Sequence, residues 1–208
     1  LLPSPASLFP ELSPAQWAQL SRYAELLTEA NRKVNLISRK DIENVWPHHI
    51  LPSLVPVKTG RFTGTEHILD VGTGGGLPGI PLAVLFPDAH ITLIDSTLRK
   101  VRMLWKFIEE LSLKNVRALH QRIEEHTDSY TVVTGRAVTE FSRLVALTKK
   151  NVDASSAASA GWWYFSGGDA APYLQRWPGR LTVYPLKKWL PLPYFEEKLL
   201  FHLRPSTA

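Results

Sequence analysis

The sequence predicts an α/β fold, a Rossmann-like parallel sheet with an N-terminal helical extension. Three observations carry this prediction. From residue 67 to residue 134, short apolar runs alternate with stretches of helical period, as strands and crossover helices do in a parallel sheet. A glycine-rich turn, Asp70-Val-Gly72-Thr-Gly74-Gly-Gly76, sits between the first of those strands and the first of those helices. Upstream, residues 1–62 carry helix signals and no alternating pattern. The expected division is a helical cap over 1–62 and one compact sheet-bearing unit over 63–208.

Each element has its own signal. Ser13-Pro14-Ala15-Gln16 places a capping serine, a proline at the first helical position and a glutamine three residues after the cap, so a helix is predicted over 14–33. A second short helix is predicted over 41–50, interrupted at Pro47, with 52–64 as a connector. Strands are predicted at 67–71, 89–95, 116–120 and 130–134, and helices at 80–85, 98–111 and 141–150. Residues 154–160 read as a low-complexity surface connection. An aromatic strand over 161–166 follows, then strands at 181–184 and 198–203, the last finishing the sheet antiparallel.

Composition narrows the function classes. The 208 residues include no cysteine, which excludes disulfides, thiolate metal sites and cysteine nucleophiles. No apolar run reaches the roughly 18 residues that span a bilayer, and residues 1–5 lack the charged-then-apolar pattern of a secretory leader, so the expected location is the cytoplasm. A net charge of +5 with seven histidines suits a polyanionic partner. No His/Asp/Glu spacing suggests a metal site.

The glycine turn in its strand-to-helix setting lets backbone approach a nucleotide closely. Nineteen residues beyond Gly76, Asp95 ends the next strand, where a carboxylate can accept both ribose hydroxyls. Two cofactors fit that pairing, since Gly74-x-Gly76-x-x-Gly79 also matches the dinucleotide fingerprint. A dinucleotide's pyrophosphate rests on the N–H groups of the helix start. Pro78 and Pro81 remove two of those donors. The prolines favour phosphate-free S-adenosylmethionine, whose ammonium Asp70 is placed to meet, and leave a nicotinamide oxidoreductase as the alternative.

Specific motifs go further. Asp70-Val-Gly-Thr-Gly-Gly-Gly-Leu-Pro-Gly-Ile-Pro-Leu82 closely resembles the first motif of the bacterial 16S ribosomal RNA guanine-N7 methyltransferase family, also called glucose-inhibited division protein B. Asn35-Leu36-Ile37-Ser38, His49-Ile50-Leu51, Thr92-Leu-Ile-Asp95-Ser96, Arg99-Lys100-Val101, Arg122-Ile123-Glu124-Glu125 and Gly135-Arg136-Ala137-Val138 resemble further family segments. The match runs from about 12 to 148, and two positions depart from it: Pro52 stands where the family has aspartate, and Ser166 where it has lysine. The resemblance implies an S-adenosylmethionine-dependent methyltransferase sheet, with 16S ribosomal RNA or the small ribosomal subunit as partner of a monomer. It implies cofactor contacts from Asp70, Gly72, Thr73, Gly74, Gly76, Leu77, Asp95, Ser96, Ile123, Glu124 and Arg136. Substrate contacts are expected from Asn35, His49, Arg99, Lys100 and Arg122.

The chemistry agrees with the resemblance. Methyl transfer from a sulfonium is an in-line displacement that needs alignment and exclusion of water. Guanine N7 attacks through a free lone pair, so no general base is required. Absence of cysteine excludes pyrimidine C5 methylation, which needs thiolate addition. The Asn/Asp-Pro-Pro-aromatic motif for exocyclic amines is absent, and Leu192-Pro193-Tyr194-Phe195 reads as a turn. Arg136, near a strand's carboxyl end, is the expected catalytic residue, touching substrate phosphate or base. Trp162, Trp163, Trp177 and Trp189 among basic residues read as strand core with a wet rim rather than a base-stacking platform. The competing functions are methylation of a small molecule or protein and non-catalytic RNA binding.

Overall fold

A computed structural model describes residues 4–153 and 157–206; residues 154–156 of the expected surface connection lie outside the described residues. The chain opens with α1 (Pro5–Leu8) and α2 (Pro14–Asn31). In α2 the Ser13 side chain accepts from the Gln16 N–H while Gln16 answers to the Ser13 N–H, the reciprocal cap the sequence predicts.

Residues 39–59 differ from expectation. They form a nearly unbroken helical path: a tight turn Arg39–Asn44, a wide π turn Val45–Ile50, α3 (Leu51–Leu54) and a second tight turn Val55–Thr59, ended by left-handed Gly60. Neither the break at Pro47 nor the connector after Pro52 is seen. Pro47, Pro52 and Pro56 each fall in the first turn of a short segment, where the missing N–H has no helical partner to lose. Burial of Ile50, Leu51, Leu54 and Val55 then supplies what local propensity does not.

Seven strands follow: β1 (His67–Val71), β2 (His90–Asp95), β3 (Val116–His120), β4 (Val132–Arg136), β5 (Gly161–Gly167), β6 (Leu181–Pro185) and β7 (Lys198–Leu203). They make one sheet in the order β3-β2-β1-β4-β5-β7-β6. The first five are parallel, and β7 runs antiparallel to both β5 and β6. β7 therefore does not finish the sheet; it inserts between β5 and β6. Its Leu200, Phe201, His202 and Leu203 are fully buried and need neighbours on both edges, whereas most of β6 is half-exposed and tolerates the rim. β4 also sits two residues later than predicted, because Tyr130 makes only a single bridge to Val152 and turns its hydroxyl to His126 and Arg117.

Helices α4 (Gly79–Leu85), α5 (Leu98–Glu110), α6 (Phe141–Thr148) and α7 (Ala171–Arg176) complete the fold. One sheet face packs Ile68, Leu93 and Trp163 with α4, α5 and the N-terminal helices in a single apolar cluster containing Phe9, Leu20, Tyr23 and Leu54. The other face joins Leu69, Val133, Trp162 and Phe201 to Phe141 of α6. Trp162 and Trp163 are thus core on opposite faces, by the two-residue period of a strand. The chain leaves β3 and returns on the far side of β1, so strand order reverses between β1 and β4, and ligands of open parallel sheets bind at the carboxyl end of such a switch.

Candidate active site

The turn after β1 is built around Asp70, which is fully buried beneath it. Its Oδ2 accepts the Thr73 hydroxyl at 2.6 Å and the Gly79 N–H at 2.9 Å, while Oδ1 is buried with no hydrogen-bond partner among the described residues. The first N–H of α4 is therefore spent on this chain's own carboxylate. The next free one, of Ile80, goes to the Gly76 carbonyl at 2.7 Å, and Pro81 has none. A pyrophosphate at this helix start would meet the Asp70 carboxyl and no free N–H donor. Asp70, expected to meet a cofactor ammonium, is fully buried and lines neither of the two cavities described below.

Burial pushes the Asp70 carboxyl up from its ordinary 3.8 to about 7, against the opposing hydrogen bonds of Thr73 and Gly79. The folded state holds this proton more tightly than the unfolded state, so Asp70 lowers stability as pH rises from 3.8 to about 7. Asp70→Asn is expected to flatten the thermal midpoint over that window relative to wild type; an unchanged pH profile would remove Asp70 as the cause. His49 acts in the opposite sense. Burial and Arg136 lower its pKa from 6.5 to about 4, so its contribution is present above 6.5 and lost as pH falls through 4.

The cap roofs this turn. Tyr23 of α2, fully buried, donates its hydroxyl to the Gly75 carbonyl at 2.9 Å. Asn31 Oδ1 accepts the Leu36 and Ile37 N–H groups at 2.8 and 2.9 Å, which presses Leu36 onto Gly74 and Gly75. Asn35 is brought beside the turn, but its side chain is exposed and lines neither cavity. Tyr23→Phe leaves the Gly75 carbonyl unpaired and is expected to cost about 1 kcal/mol in denaturant unfolding.

The first cavity, of about 470 Å³, lies over the switch point. Gly72, Ile94, Asp95 and Ser96 form one wall, Gln121–Glu124 a second, and Ala137–Thr139 with Arg143, Leu144 and Leu147 a third. Asp95 Oδ2 accepts the Gly74 N–H at 3.0 Å and Oδ1 the Thr97 N–H at 2.8 Å. Each oxygen keeps a second lone pair for a ligand hydroxyl. Of the residues expected to contact a cofactor, Gly72, Asp95, Ser96, Ile123 and Glu124 line this cavity. Thr73, Gly74, Gly76 and Leu77 do not: Thr73 and Leu77 are buried beneath the turn, Gly76 packs on Ile80 and Leu104, and Gly74 serves Asp95 through its N–H. Lys100 and Arg122, expected on substrate, line the first cavity instead, and Arg99 lies outside both with its guanidinium 3.4 Å from the Lys33 carbonyl. The α6 wall was missed because its apolar residues look like ordinary core.

Arg136, expected in the cofactor site, lines a second cavity of about 390 Å³. Its walls are His48, His49 and Pro52 from the cap, Tyr164–Gly167 at the end of β5, and Leu186, Tyr194, Phe195 and Lys198 from the C-terminal segment. Ala137 lines both cavities and joins them. The Arg136 guanidinium lies 3.3 and 3.5 Å from the carbonyls of His48 and His49 and meets His49 Nδ1 closely. A guanidinium only donates, so Nδ1 must accept and the ring proton sits on Nε2, which lies 2.8 Å from Asp41 Oδ2, within pairing distance but outside hydrogen-bond geometry. Asp41 Oδ1 also holds His48 Nδ1 at 2.7 Å, and the His48 ring stacks on Tyr194 with centroids 3.5 Å apart. Tyr194, read as part of a turn, is thus a cavity residue in the short helical turn Pro193–Phe195. Ser166 faces the cavity, and Lys198, paired with Gly167 across β5 and β7, brings an ammonium to the same wall.

Comparison with known proteins bears on the family and the fold. Residues 16–159 match the family model of rRNA small subunit methyltransferase G. Proteins named Ribosomal RNA small subunit methyltransferase G from Parabacteroides distasonis and Cytophaga hutchinsonii are 37% and 38% identical, over 95% and 94% of this chain and 86% and 95% of their own. Among solved structures, a fibrillarin/Nop5p complex has a TM-score of 0.56 at 12% identity, over 74% of this chain and 79% of its own. A T. thermophilus 16S rRNA methyltransferase in complex with AdoMet and guanosine has a TM-score of 0.55 at 18% identity, over 76% of this chain and 43% of its own. These structures share the Rossmann-like fold. With a family match that spans cap, glycine turn and β4, and relatives aligned over nearly the whole length, the chain belongs to the rRNA small subunit methyltransferase G family.

Proposed function

We propose that the protein transfers a methyl group from S-adenosylmethionine to N7 of a guanine in 16S ribosomal RNA. One observation carries the choice of cofactor: Asp70 occupies the start of α4, beside an Asp95 that retains lone pairs toward the first cavity. That arrangement suits a nucleoside with a free ribose diol and leaves a pyrophosphate no free N–H donor at the helix start. It also argues against the nicotinamide alternative. The cavity of about 470 Å³ falls in the usual range for small-molecule sites.

In this reading Asp95 accepts the ribose hydroxyls, and Ile94, Ile123 and Leu144 give apolar surface to the base. When bound, S-adenosylmethionine supplies a methyl on a sulfonium, open to displacement by a lone pair. Arg136, from the adjoining cavity, offers N–H donors to the O6 edge of a guanine or to its phosphate, and leaves N7 free. Asp41 and His49 act through Arg136 by holding its guanidinium in place. One chain completes both cavities, which supports a monomer acting on ribosomal RNA or the small subunit in the cytoplasm. No helix among the described residues is long and apolar enough to cross a membrane.

The test is methyl incorporation into 16S rRNA and small subunits taken from cells lacking the protein, followed by mapping of N7-methylguanine. Label at a single guanine N7 is the expected result. Calorimetric binding of NAD without S-adenosylmethionine, or label confined to protein or small molecules, would overturn the proposal.

A further inference from the structure

We infer that a cationic flank, running from the end of α2 along the outer face of α5, docks a length of RNA backbone outside the methylation site. The inference rests on the ribosomal RNA reading and extends it to where the rest of the substrate lies. Arg32 and Lys33 follow α2, Arg39 begins the next turn, and Arg99, Arg102 and Lys106 stand on α5; all six are exposed. None forms an ion pair with a carboxylate among the described residues. Lys58 and Lys187, elsewhere on the surface, are instead neutralised by Glu11 at 2.7 Å and Glu196 at 2.8 Å.

The flank is continuous. The Arg99 guanidinium donates to the Lys33 carbonyl at 3.4 Å and joins the two elements. Arg99, Arg102 and Lys106, spaced three and four apart, share one helix face over about 10 Å. The helix carries these charges the wrong way round for its own stability. Its first turn holds cations and no acid, and its end holds Glu109 and Glu110 and no base, so both ends oppose the macrodipole. Arg22 answers Glu110 at 3.0 Å and Asp95 lies 3.8 Å from Lys100, but Arg99, Arg102 and Lys106 have no such compensation among the described residues, and the sign of their charge points to an anionic partner.

Two features identify the anion as nucleic acid rather than a membrane surface. The apolar residues of α5, Val101, Leu104 and Phe107, are buried against the sheet and unavailable to lipid. Its exposed Trp105 gives the indole N–H to the Ala118 carbonyl at 2.9 Å and covers the outermost strand. The flank also ends at the reaction site, because Asp95, Ser96 and Thr97, just before α5, line the first cavity with Lys100. A strand lying along the flank therefore passes beside the cavity proposed for the cofactor, which Ala137 joins to the second, where Arg136 meets the guanine.

The experiment compares wild type with Arg32→Gln/Lys33→Gln/Arg102→Gln/Lys106→Gln in binding purified 16S rRNA without cofactor at several salt concentrations. A Lys58→Gln/Lys187→Gln control and thermal midpoints of all three proteins accompany it. The slope of log affinity against log salt is expected to fall by about three in the quadruple variant and by less than one in the control, with S-adenosylmethionine affinity unchanged. Wild-type slope in a folded quadruple variant, or an equal loss per charge in the control, would overturn the flank. Failure of the methyltransferase reading looks different: wild type would bind the RNA with a steep slope yet transfer no methyl.

Discussion

Arg136→Ala is expected to abolish methyl transfer to ribosomal RNA while S-adenosylmethionine affinity stays within about threefold, roughly 0.7 kcal/mol. The split follows from placement: the side chain lines the second cavity and not the first, which it borders only through Ala137. Truncation also strips the donors from His49 Nδ1 and from two backbone carbonyls, and should cost about 2–3 kcal/mol of stability. Arg136→Lys separates the two effects. A lysine keeps the charge but cannot reproduce the planar fork that spans three acceptors, so stability should largely recover while transfer stays at least about a hundredfold down. Single-turnover methylation and calorimetry on both variants are the measurements, and a wild-type rate in either removes Arg136 from the mechanism.

The second large effect is expected at the glycine turn. A Cβ on Gly79 would lie 2.2 Å from Leu93 Cδ2 and 2.8 Å from Asp70 Oδ2, so Gly79→Ala must displace the buried Leu93 side chain and the carboxylate that holds the helix start, or shift α4 itself. A loss of about 3 kcal/mol in unfolding free energy is expected. Gly72→Ala probes the cavity wall instead. Gly72 has a φ of +62°, and its Cβ would lie 2.2 Å from Val138 Cγ2, so two walls of the first cavity are forced apart. S-adenosylmethionine affinity should fall at least about tenfold, about 1.4 kcal/mol, with partial recovery in Gly72→Ala/Val138→Ala. Recovery stops short because the left-handed backbone still strains an alanine. Unchanged cofactor affinity in Gly72→Ala would remove the first cavity from the proposal.

How far the sequence reveals this site depends on whether the deciding contacts are local. Strands β1, β3 and β7 match their predicted bounds to the residue, since apolar runs between turn residues depend on near neighbours alone. The Ser13 cap and the Asp70-to-Gly79 turn are legible for the same reason. The path over 39–59 was not, because three prolines read as breaks until burial of Ile50, Leu54 and Val55 outweighs them. The first cavity was half legible: its β1 and β2 walls carry motif residues, and its α6 wall carries none. The second was legible at His49 and Arg136 and at the two departures Pro52 and Ser166, whereas Tyr194 and Lys198 come from a segment with no shared pattern.

By itself, the sequence determined the parallel sheet, the bend after its first strand, the carboxylate at the end of the second, and membership in an RNA-modifying family. Each rests on residues within a turn or a strand of one another, where chain geometry leaves few alternatives. Only the tertiary structure decided that Asp70 fills the start of α4 from below, that Arg136 turns away from the first cavity toward the cap, and that β7 slips between β5 and β6. Those outcomes depend on which distant groups compete for the same buried donor, acceptor or sheet edge, and that competition exists only once the chain is folded.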